Sequence, residues 1–561
     1  GSAPDQATVR ASAGIIGLPG LNIQGIVTQI GSDIDGEAAG DWSGYSVSLS
    51  SDGSVVAISS IHNKDNGYDS GHVRIYRNIH NSWIKIGSDI DGEAAYDRSG
   101  ESISLSADGS IVAIGAYQND GNGDNSGHVR IYKNINNIWT KIGSDIDGKA
   151  AGDVLGKSVS LSADGSIVAI GAIGGNGGGH VRIYRNINNT WTQIGDDIDG
   201  ETAYDGLGRS VSLSSDGTVI ATGAYTSGAG TGTVRIYKNE NNNWIKVGGD
   251  IDGEAAGDWS GFSVSLSNDG SIVAVGAWQN DSNGTKTNSG HVRIYRNIND
   301  TWDQIGSDID GNAAGDNSGY SISLSGDGSL VAIGASENDG RGDGIGNGVG
   351  YVRIYRNINN TWSQIGSDIP GQAAHDISGW SVNLSKDGSS LAISAIGNDD
   401  NGTNSGHVRV YKINLDITAP SAPTSLTNTS QGNDATPAIT GTAEAGSMVK
   451  LYNGSTLLGS ATADSNGVFS INSSTLNDGS YSLTATATDA AGNTSSLSNA
   501  LSITVDATAP GAPSSLTSSS PVNDKTPTIT GIAEAGSTVK LYSGSTLLGS
   551  ATADSNGVFS I

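Results

Sequence analysis

The sequence predicts an all-β chain: a seven-bladed β-propeller of four-stranded blades, followed by small β-sandwich repeats. Two observations carry the propeller and a third carries the sandwiches. A unit ending in Ile-Gly or Val-Gly recurs seven times, with its glycine at Gly31, Gly87, Gly143, Gly195, Gly248, Gly306 and Gly366, spaced 56, 56, 52, 53, 58 and 60 residues apart. The full units hold four short runs with the two-residue alternation of strands, and none with a helical period. A different pattern then repeats once, Thr418-Ala419-Pro420 returning 90 residues later as Thr508-Ala509-Pro510. A period in the fifties with four strands per unit marks propeller blades.

The second unit justifies each element in order. Residues 102–106, 111–116, 128–133 and 138–142 are rich in Val, Ile, Tyr or Trp and read as strands. Asp108-Gly109 predicts a two-residue type I′ hairpin, and Asn136-Asn137 a second tight turn. The Gly- and Asn-rich stretch 120–127 is the longer loop. The seventh unit supplies only three strands. Its missing fourth stands at the N-terminus as Ile26-Val27-Thr28-Gln29-Ile30-Gly31. That strand is expected to pair with residues 407–412 and close the ring, which removes exposed sheet edges.

The run Ser-Gly-x-Ser-Val/Ile-Ser-Leu-Ser-x-Asp-Gly-Ser-x-Val-Ala-Ile-Gly-Ala, followed by Asn-Asp-Gly-x-Gly-x-x-Ser-Gly-x-Val-Arg-Ile-Tyr, resembles the FG-GAP repeat of integrin α-subunit propellers and many bacterial surface proteins. The resemblance covers roughly residues 25–415. Integrin blades often hold calcium in a D-x-D-x-D-G-x-x-D loop between their first two strands. Here that loop is only Ser51-Asp52-Gly53-Ser54 and its equivalents, so the resemblance brings no calcium to that position.

Beyond residue 416, Gly441-Thr442-Ala443-Glu444-Ala445-Gly446, Val449-Lys450-Leu451-Tyr452 and residues 480–489 alternate with turn signals as a small β-sandwich does. They resemble the bacterial immunoglobulin-like repeats of large surface adhesins. The second copy stops at Ile561, aligned with Ile471, and residues 456–471 and 546–561 are identical. The expected organisation is a lead-in segment at 1–21, a propeller at 22–415, an immunoglobulin-like domain at 416–506 and a truncated second one at 507–561. Half a sandwich cannot bury its core, so the chain is expected to be a piece of a longer repeat protein. It begins Gly1-Ser2-Ala3-Pro4 without an initiator Met, as a processed or cut N-terminus would, and no signal peptide is legible.

Composition narrows the function classes. The formal charge of −28 opposes binding to phosphate backbones, so nucleic acid is not an expected partner. The chain has no Cys, which excludes disulfides and Cys-ligated zinc or iron–sulfur centres. No apolar run reaches the roughly 18 residues of a membrane span.

The acidic residues are concentrated. The connection between the last strand of one blade and the first of the next, such as Ser32-Asp33-Ile34-Asp35-Gly36-Glu37-Ala38-Ala39-Gly40-Asp41, holds 25 of the 57 carboxylates over its seven copies. It opens on the same face as the loop between strands two and three, so one face of the disc is expected to be strongly negative. Asp-x-Asp-Gly places oxygens at alternate positions around a Gly-permitted turn, as Ca²⁺ requires. The pairs Asp33/Asp35, Asp89/Asp91, Asp145/Asp147, Asp197/Asp199, Asp250/Asp252 and Asp308/Asp310 are therefore candidate calcium ligands. The competing reading is that they form Asx-turns and only shape the loop.

Other repeated residues read as structural. A third-strand Arg (Arg74, Arg130, Arg182, Arg235, Arg293, Arg353, Arg409) and an Asp before the first strand (Asp41, Asp97, Asp153, Asp205, Asp258, Asp316, Asp376) predict one ion pair per blade. Trp83, Trp139, Trp191, Trp244, Trp302 and Trp362 read as packing between blades. The extra Trp42, Trp259, Trp278 and Trp380 differ between blades and are candidate ligand contacts. His72, His128, His180, His291 and His407 share one position that Thr233 and Tyr351 also fill, so they read as packing rather than as a general base. Arg341-Gly342-Asp343 spells a tripeptide that integrins recognise, but it is one substitution from its neighbouring pattern.

By resemblance to adhesin arrays, which hold calcium at domain junctions, Asp416, Asp489 and Asp506 are candidate calcium ligands, with Glu444 and Glu534 beside them; turn capping is the alternative. The sequence thus reads as an extracellular bacterial surface protein without enzymatic activity. It binds a glycan or protein on a cell or matrix through the propeller, carried on a calcium-stiffened stalk. The rival is a structural subunit of a surface layer, sheath or filament that packs against copies of itself.

Overall fold

The computed structural model describes residues 26–174, 178–281, 286–337, 348–415, 418–489, 493–519, 521 and 523–561. The chain divides into two compact units, one within Asn22–Asp416 and one within Ile417–Ile561.

The first unit is a seven-bladed propeller. Blade two runs Ser102–Leu105, Ile111–Ala116, His128–Ile135 and Ile138–Lys141, antiparallel throughout, and the other blades repeat it. The N-terminal strand Ile26–Gln29 pairs with His407–Asn414, from Ile26 opposite Asn414 to Gln29 opposite Tyr411, and completes blade seven. Second strands such as Val55–Ser60 are buried along their whole length, because neighbouring blades cover both faces.

Two hydrogen-bond rings hold the inner strands, whose inward edge would otherwise be unpaired. In the first, a first-strand Leu N–H donates to a Ser hydroxyl of the preceding blade: Leu105 to Ser48 at 3.0 Å, Leu161 to Ser104 at 3.0 Å, Leu213 to Ser160 at 3.0 Å. Leu266, Leu324 and Leu384 repeat this at 2.9–3.0 Å, and Leu49 closes the ring on Asn383 Oδ1 at 2.8 Å. The second ring is all main chain. Ser51 N donates to Ala107 O, Ala107 N to Ala163 O, and so on through Ser215, Asn268, Gly326 and Lys386 at 2.7–2.8 Å, until Asp387 N returns to Ser51 O at 3.0 Å.

The outer strands are tied by the repeated tryptophans. Trp139 Nε1 donates to Ile86 O at 2.8 Å, and Trp83, Trp191, Trp244, Trp302 and Trp362 each donate to the preceding blade at 2.9–3.0 Å. These are inter-blade contacts, as expected.

The Asp-Gly hairpin differs from its expectation. Five residues, 106–110, join the strands, and only Gly109 has positive φ (+67°). The Asp108 carboxylate instead accepts from Ser106 Oγ at 2.7 Å, Ser110 N at 2.9 Å and Ser110 Oγ at 2.8 Å, and this network shapes the turn. The Asn136-Asn137 turn is the two-residue kind, with φ of 53° and 64°.

In the second unit the first immunoglobulin-like domain is a seven-stranded sandwich. One sheet joins Thr424–Asn428, Ala438–Thr442 and Val468–Asn472; the other joins Thr456–Thr462, Met448–Asn453, Gly479–Thr488 and Leu501–Val505. Ile439, Leu451, Leu458, Phe469 and Leu483 fill its core. The second copy forms five of these strands, and its core reduces to Val539, Ala553 and Phe559.

Candidate functional site

The residue after Ser/Leu-Gly, in or just before each first strand, lines a cavity at one mouth of the central channel. Around the ring these residues are Tyr45, Glu101, Lys157, Arg209, Phe262, Tyr320 and Trp380, and the cavity holds about 230 Å³. The strand arrives there from the acidic connection, so the mouth opens on the acidic face. A local bulge makes the position possible. Gly44 has φ +95°, and a Cβ on it would lie 2.6 Å from Ser394 Cβ in blade seven.

The ring is divided by chemistry. On one side Lys157 donates to Glu101, which also accepts from Tyr45 Oη at 3.3 Å. Burial lowers the Lys157 pKa against the pull of Glu101, and burial raises that of Tyr45. The Arg209 guanidinium lies 3.9 Å from the Phe262 ring centroid, a cation–π contact. On the other side the aromatic rings form a continuous arc. Centroids run Trp259–Trp278 at 5.3 Å, Trp278–Phe262 at 5.6 Å, Phe262–Tyr320 at 5.1 Å, Tyr320–Trp380 at 4.7 Å and Trp380–Tyr45 at 5.5 Å. Trp278 Nε1 is buried and has no hydrogen-bond partner among the described residues.

Three of the four predicted ligand-contact tryptophans, Trp259, Trp278 and Trp380, therefore belong to one arc. Trp42 does not; it packs edge-on against His62 at 4.7 Å. Sequence reading missed Tyr45, Glu101, Lys157, Arg209, Phe262 and Tyr320. The available signal was one variable position inside an otherwise repeated Gly-x-Ser.

The Asp-x-Asp-Gly connections are built differently from their expectation. Ile34–Asp35 and its equivalents form two-residue strands that pair with the third strand, the Ile buried and the Asp exposed. Asp35, Asp91, Asp147, Asp199, Asp252 and Asp310 thus point outward. The first Asp of each pair meets the side chain four residues earlier. Lys85 reaches Asp89, Lys141 reaches Asp145 and Lys246 reaches Asp250, each at 2.6 Å. Gln29, Gln193 and Gln304 reach Asp33, Asp197 and Asp308 at 2.5, 2.8 and 2.6 Å. The glycine serves close approach rather than a turn. It has no positive φ, and a Cβ on Gly92 would lie 2.0 Å from Ser70 O. Of the six pairs, only Asp197 and Asp199 fall together in a converging acidic–histidine group among the described residues.

The predicted Arg–Asp pair forms in two blades only: Arg182 with Asp153 at 3.0 Å and Arg235 with Asp205 at 3.4 Å. Elsewhere Arg74, Arg130, Arg293 and Arg409 donate to the carbonyls of Asp35, Asp91, Asp252 and Pro370 at 2.8–2.9 Å, and Arg353 grips Asp368 with two bonds at 2.8 and 2.9 Å. The buried Asp is already occupied in capping its own loop. Asp97 accepts from Ala94 N at 3.0 Å and Asn119 Nδ2 at 3.1 Å.

In the second unit, both carboxylate oxygens of Asp489 accept from Asn493, from N and Nδ2 at 2.8 Å each. Asp506, Glu444 and Glu534 are exposed, and Asp416 lies outside the described residues, as do residues 1–21 and Arg341-Gly342-Asp343. Among the described residues of this unit no three acidic or histidine groups converge. Asp478 is the acid that engages the inter-repeat linker, accepting from Ala507 N at 2.6 Å and from Thr508 Oγ1.

The profile of the FG-GAP repeat matches residues 90–132, 252–295 and 370–411; that of the bacterial Ig-like domain matches 410–507, and that of the bacterial Ig domain 509–561. The chain carries FG-GAP repeats followed by bacterial immunoglobulin-like domains, an architecture typical of surface proteins. No curated protein matches it at a significant level. Among solved structures, a candidate 6-phosphogluconolactonase of Bacteroides uniformis is 12% identical over 59% of this chain and 86% of its own, with a TM-score of 0.42. The GH74 xyloglucanase of Xanthomonas campestris is 10% identical over 75% of this chain and 59% of its own, at 0.39. The WD40 domain of SCAP from fission yeast is 10% identical over 70% and 98%, at 0.39. At such identities and scores nothing about activity transfers. Among the described residues no helix is long and apolar enough to cross a membrane.

Proposed function

We propose that the propeller is the ligand-binding head of an extracellular bacterial surface protein, carried on its immunoglobulin-like repeats, and that it binds its ligand without turning it over. One observation carries this reading. The position that lines the channel mouth varies from blade to blade within a repeated frame, and it sets an aromatic arc opposite Glu101, Lys157 and Arg209. The class of ligand that suits this mouth is the terminal sugar of a surface glycan bearing an acidic group. A ring face stacks on Trp380 and Tyr320, while Arg209 and Lys157 offer charged donors to a carboxylate. The volume of about 230 Å³ is below the ~300–1,000 Å³ of pockets that enclose whole ligands, and fits one protruding group.

Binding rather than hydrolysis is supported by the single carboxylate among the described lining residues. Glu101 is held by Lys157 and Tyr45, whereas hydrolysis of a glycosidic bond ordinarily uses two acids. The test is a glycan array probed with the full chain, Trp380→Ala and Arg209→Ala. Binding by the parent chain, lost in both variants at unchanged unfolding midpoint, supports the reading. Binding that survives both variants, or ordered polymers that form with no glycan bound, removes it.

Calcium stiffening of the stalk is a separate proposal that rests on the family resemblance. Unfolding with EDTA and then with calcium restored decides it: a raised stalk midpoint supports it, an unchanged one removes it.

A further inference from the structure

The histidine position of the third strand is more than packing. The His72 side chain is fully buried, and neither ring nitrogen has a hydrogen-bond partner among the described residues; His407 is the same. An imidazole stranded in this way has lost its water without regaining a partner, which is costly unless something else occupies the site. Both rings aim Nδ1 at carboxylates. His407 Nδ1 stands 3.5 Å from Asp33 Oδ2 and 3.7 Å from Asp400 Oδ2. His72 Nδ1 stands 3.8 Å from Asp65 Oδ2, in a group with Glu37 and Asp89 whose ligand atoms all lie within 4.8 Å of one another.

These distances are too long for hydrogen bonds. The same chain shows a closer His–Asp contact elsewhere, His62 Nδ1 to Asp69 Oδ1 at 3.0 Å. They are close to the separation of two ligands of one ion: atoms about 2.0–2.1 Å from a tetrahedral Zn²⁺ lie about 3.4 Å apart.

The geometry points to a set of divalent transition-metal sites on the acidic face, one per histidine-bearing blade. Each would be ligated by the third-strand His and the first Asp of the following Asp-x-Asp, with an acid from an adjoining loop. The groups of His72 and His407 carry the inference. Glu93/His128/Asp145 and Glu254/His291/Asp308 repeat it in blades two and five; in blade three His180 and Asp197 converge instead with Asp199, the second Asp of the same connection. Imidazole nitrogen together with carboxylate oxygen favours Zn²⁺ over Ca²⁺, which takes oxygen alone. Blades four and six, where Thr233 and Tyr351 replace the histidine, would hold none. Tyr351 Oη instead donates to Asp316 at 2.9 Å.

The experiment uses the full chain, stripped with EDTA, passed through a desalting column, then titrated with Zn²⁺ or Ca²⁺, with retained metal counted by elemental analysis. Two or more equivalents of Zn²⁺ are expected to be retained in the presence of equimolar Ca²⁺. His407→Gln and Asp33→Asn should each lose one equivalent, as should His72→Gln and Asp89→Asn. The Asp variants guard against a histidine variant that misfolds, and His62→Gln should lose nothing. Co²⁺ in place of Zn²⁺ should give visible absorption that the same variants diminish. Failure to retain Zn²⁺, displacement by equimolar Ca²⁺, or retention unchanged in both Asp33→Asn and Asp89→Asn would overturn the inference.

Discussion

The main-chain nitrogen of Leu49 donates to Asn383 Oδ1 at 2.8 Å, joining the first blade to the seventh. Six other blade contacts use a Ser hydroxyl; only this one uses an amide, because Asn stands where the repeat has Ser. Asn383→Ala should lower stability by about 1 kcal/mol, since it leaves a part-buried N–H unpaired. Asn383→Ser should cost less than Asn383→Ala. Denaturant midpoints for the propeller transition compare the two.

Closure also depends on the N-terminal strand. Removing residues 1–30 deletes Ile26–Gln29 and exposes the edge of His407–Asn414. The shortened chain should unfold at lower temperature and associate through the bared edge. Calorimetry and light scattering read both effects; an unchanged midpoint would mean that the strand is dispensable.

Trp139→Phe keeps the ring and removes the donor to Ile86 O. The expected cost is about 0.5–1.5 kcal/mol. Trp302→Phe should behave alike, because its bond to Val247 O repeats the geometry at 2.9 Å.

The Asp-Gly turns give a pH dependence. Burial alone would raise the pKa of Asp108, but hydrogen bonds from Ser106 and Ser110 outweigh it and hold the carboxyl below 3.8. Asp52, Asp164, Asp216, Asp269 and Asp327 are held down in the same way. The unfolded chain then takes up these protons first. Their stabilisation is full above about pH 4 and is lost as the pH falls through the lowered values. Asp108→Asn should destabilise at pH 7 and by less as the pH falls below about 4, as urea unfolding over that range would show.

Leu458 and Leu548 occupy equivalent places in identical segments, yet Leu458 is 7% exposed and Leu548 61%. Leu458→Ala should cost about 2–5 kcal/mol in the first immunoglobulin-like domain. Leu548→Ala should stay within about 0.5 kcal/mol. Hydrogen exchange of the two repeats separates the effects.

Much of the fold was legible in the chain. The seven Ile/Val-Gly endings count the blades, and the alternation in residues such as Ile111–Ala116 places the strands. The displaced fourth strand reveals the closure. Trp139 and its equivalents were readable as inter-blade contacts because a large side chain at a fixed repeat position must meet the next copy. The candidate site was only partly legible. Trp259, Trp278 and Trp380 stood out by differing between blades, but no local pattern marked Glu101 and Arg209.

What the sequence alone determined, then, is what repeats: strand order, turn placement and the concentration of acid on the inter-blade connections. Tertiary structure decided which members of different repeats meet. Glu101 and Lys157 lie a full repeat apart in the chain and touch only because the ring brings equivalent positions to one axis. His407 meets Asp33 only because the last blade is finished by the first strand. Local alternation and turn chemistry act over a few residues and can be read along the chain, whereas burial and side-chain pairing across blades depend on the closed ring.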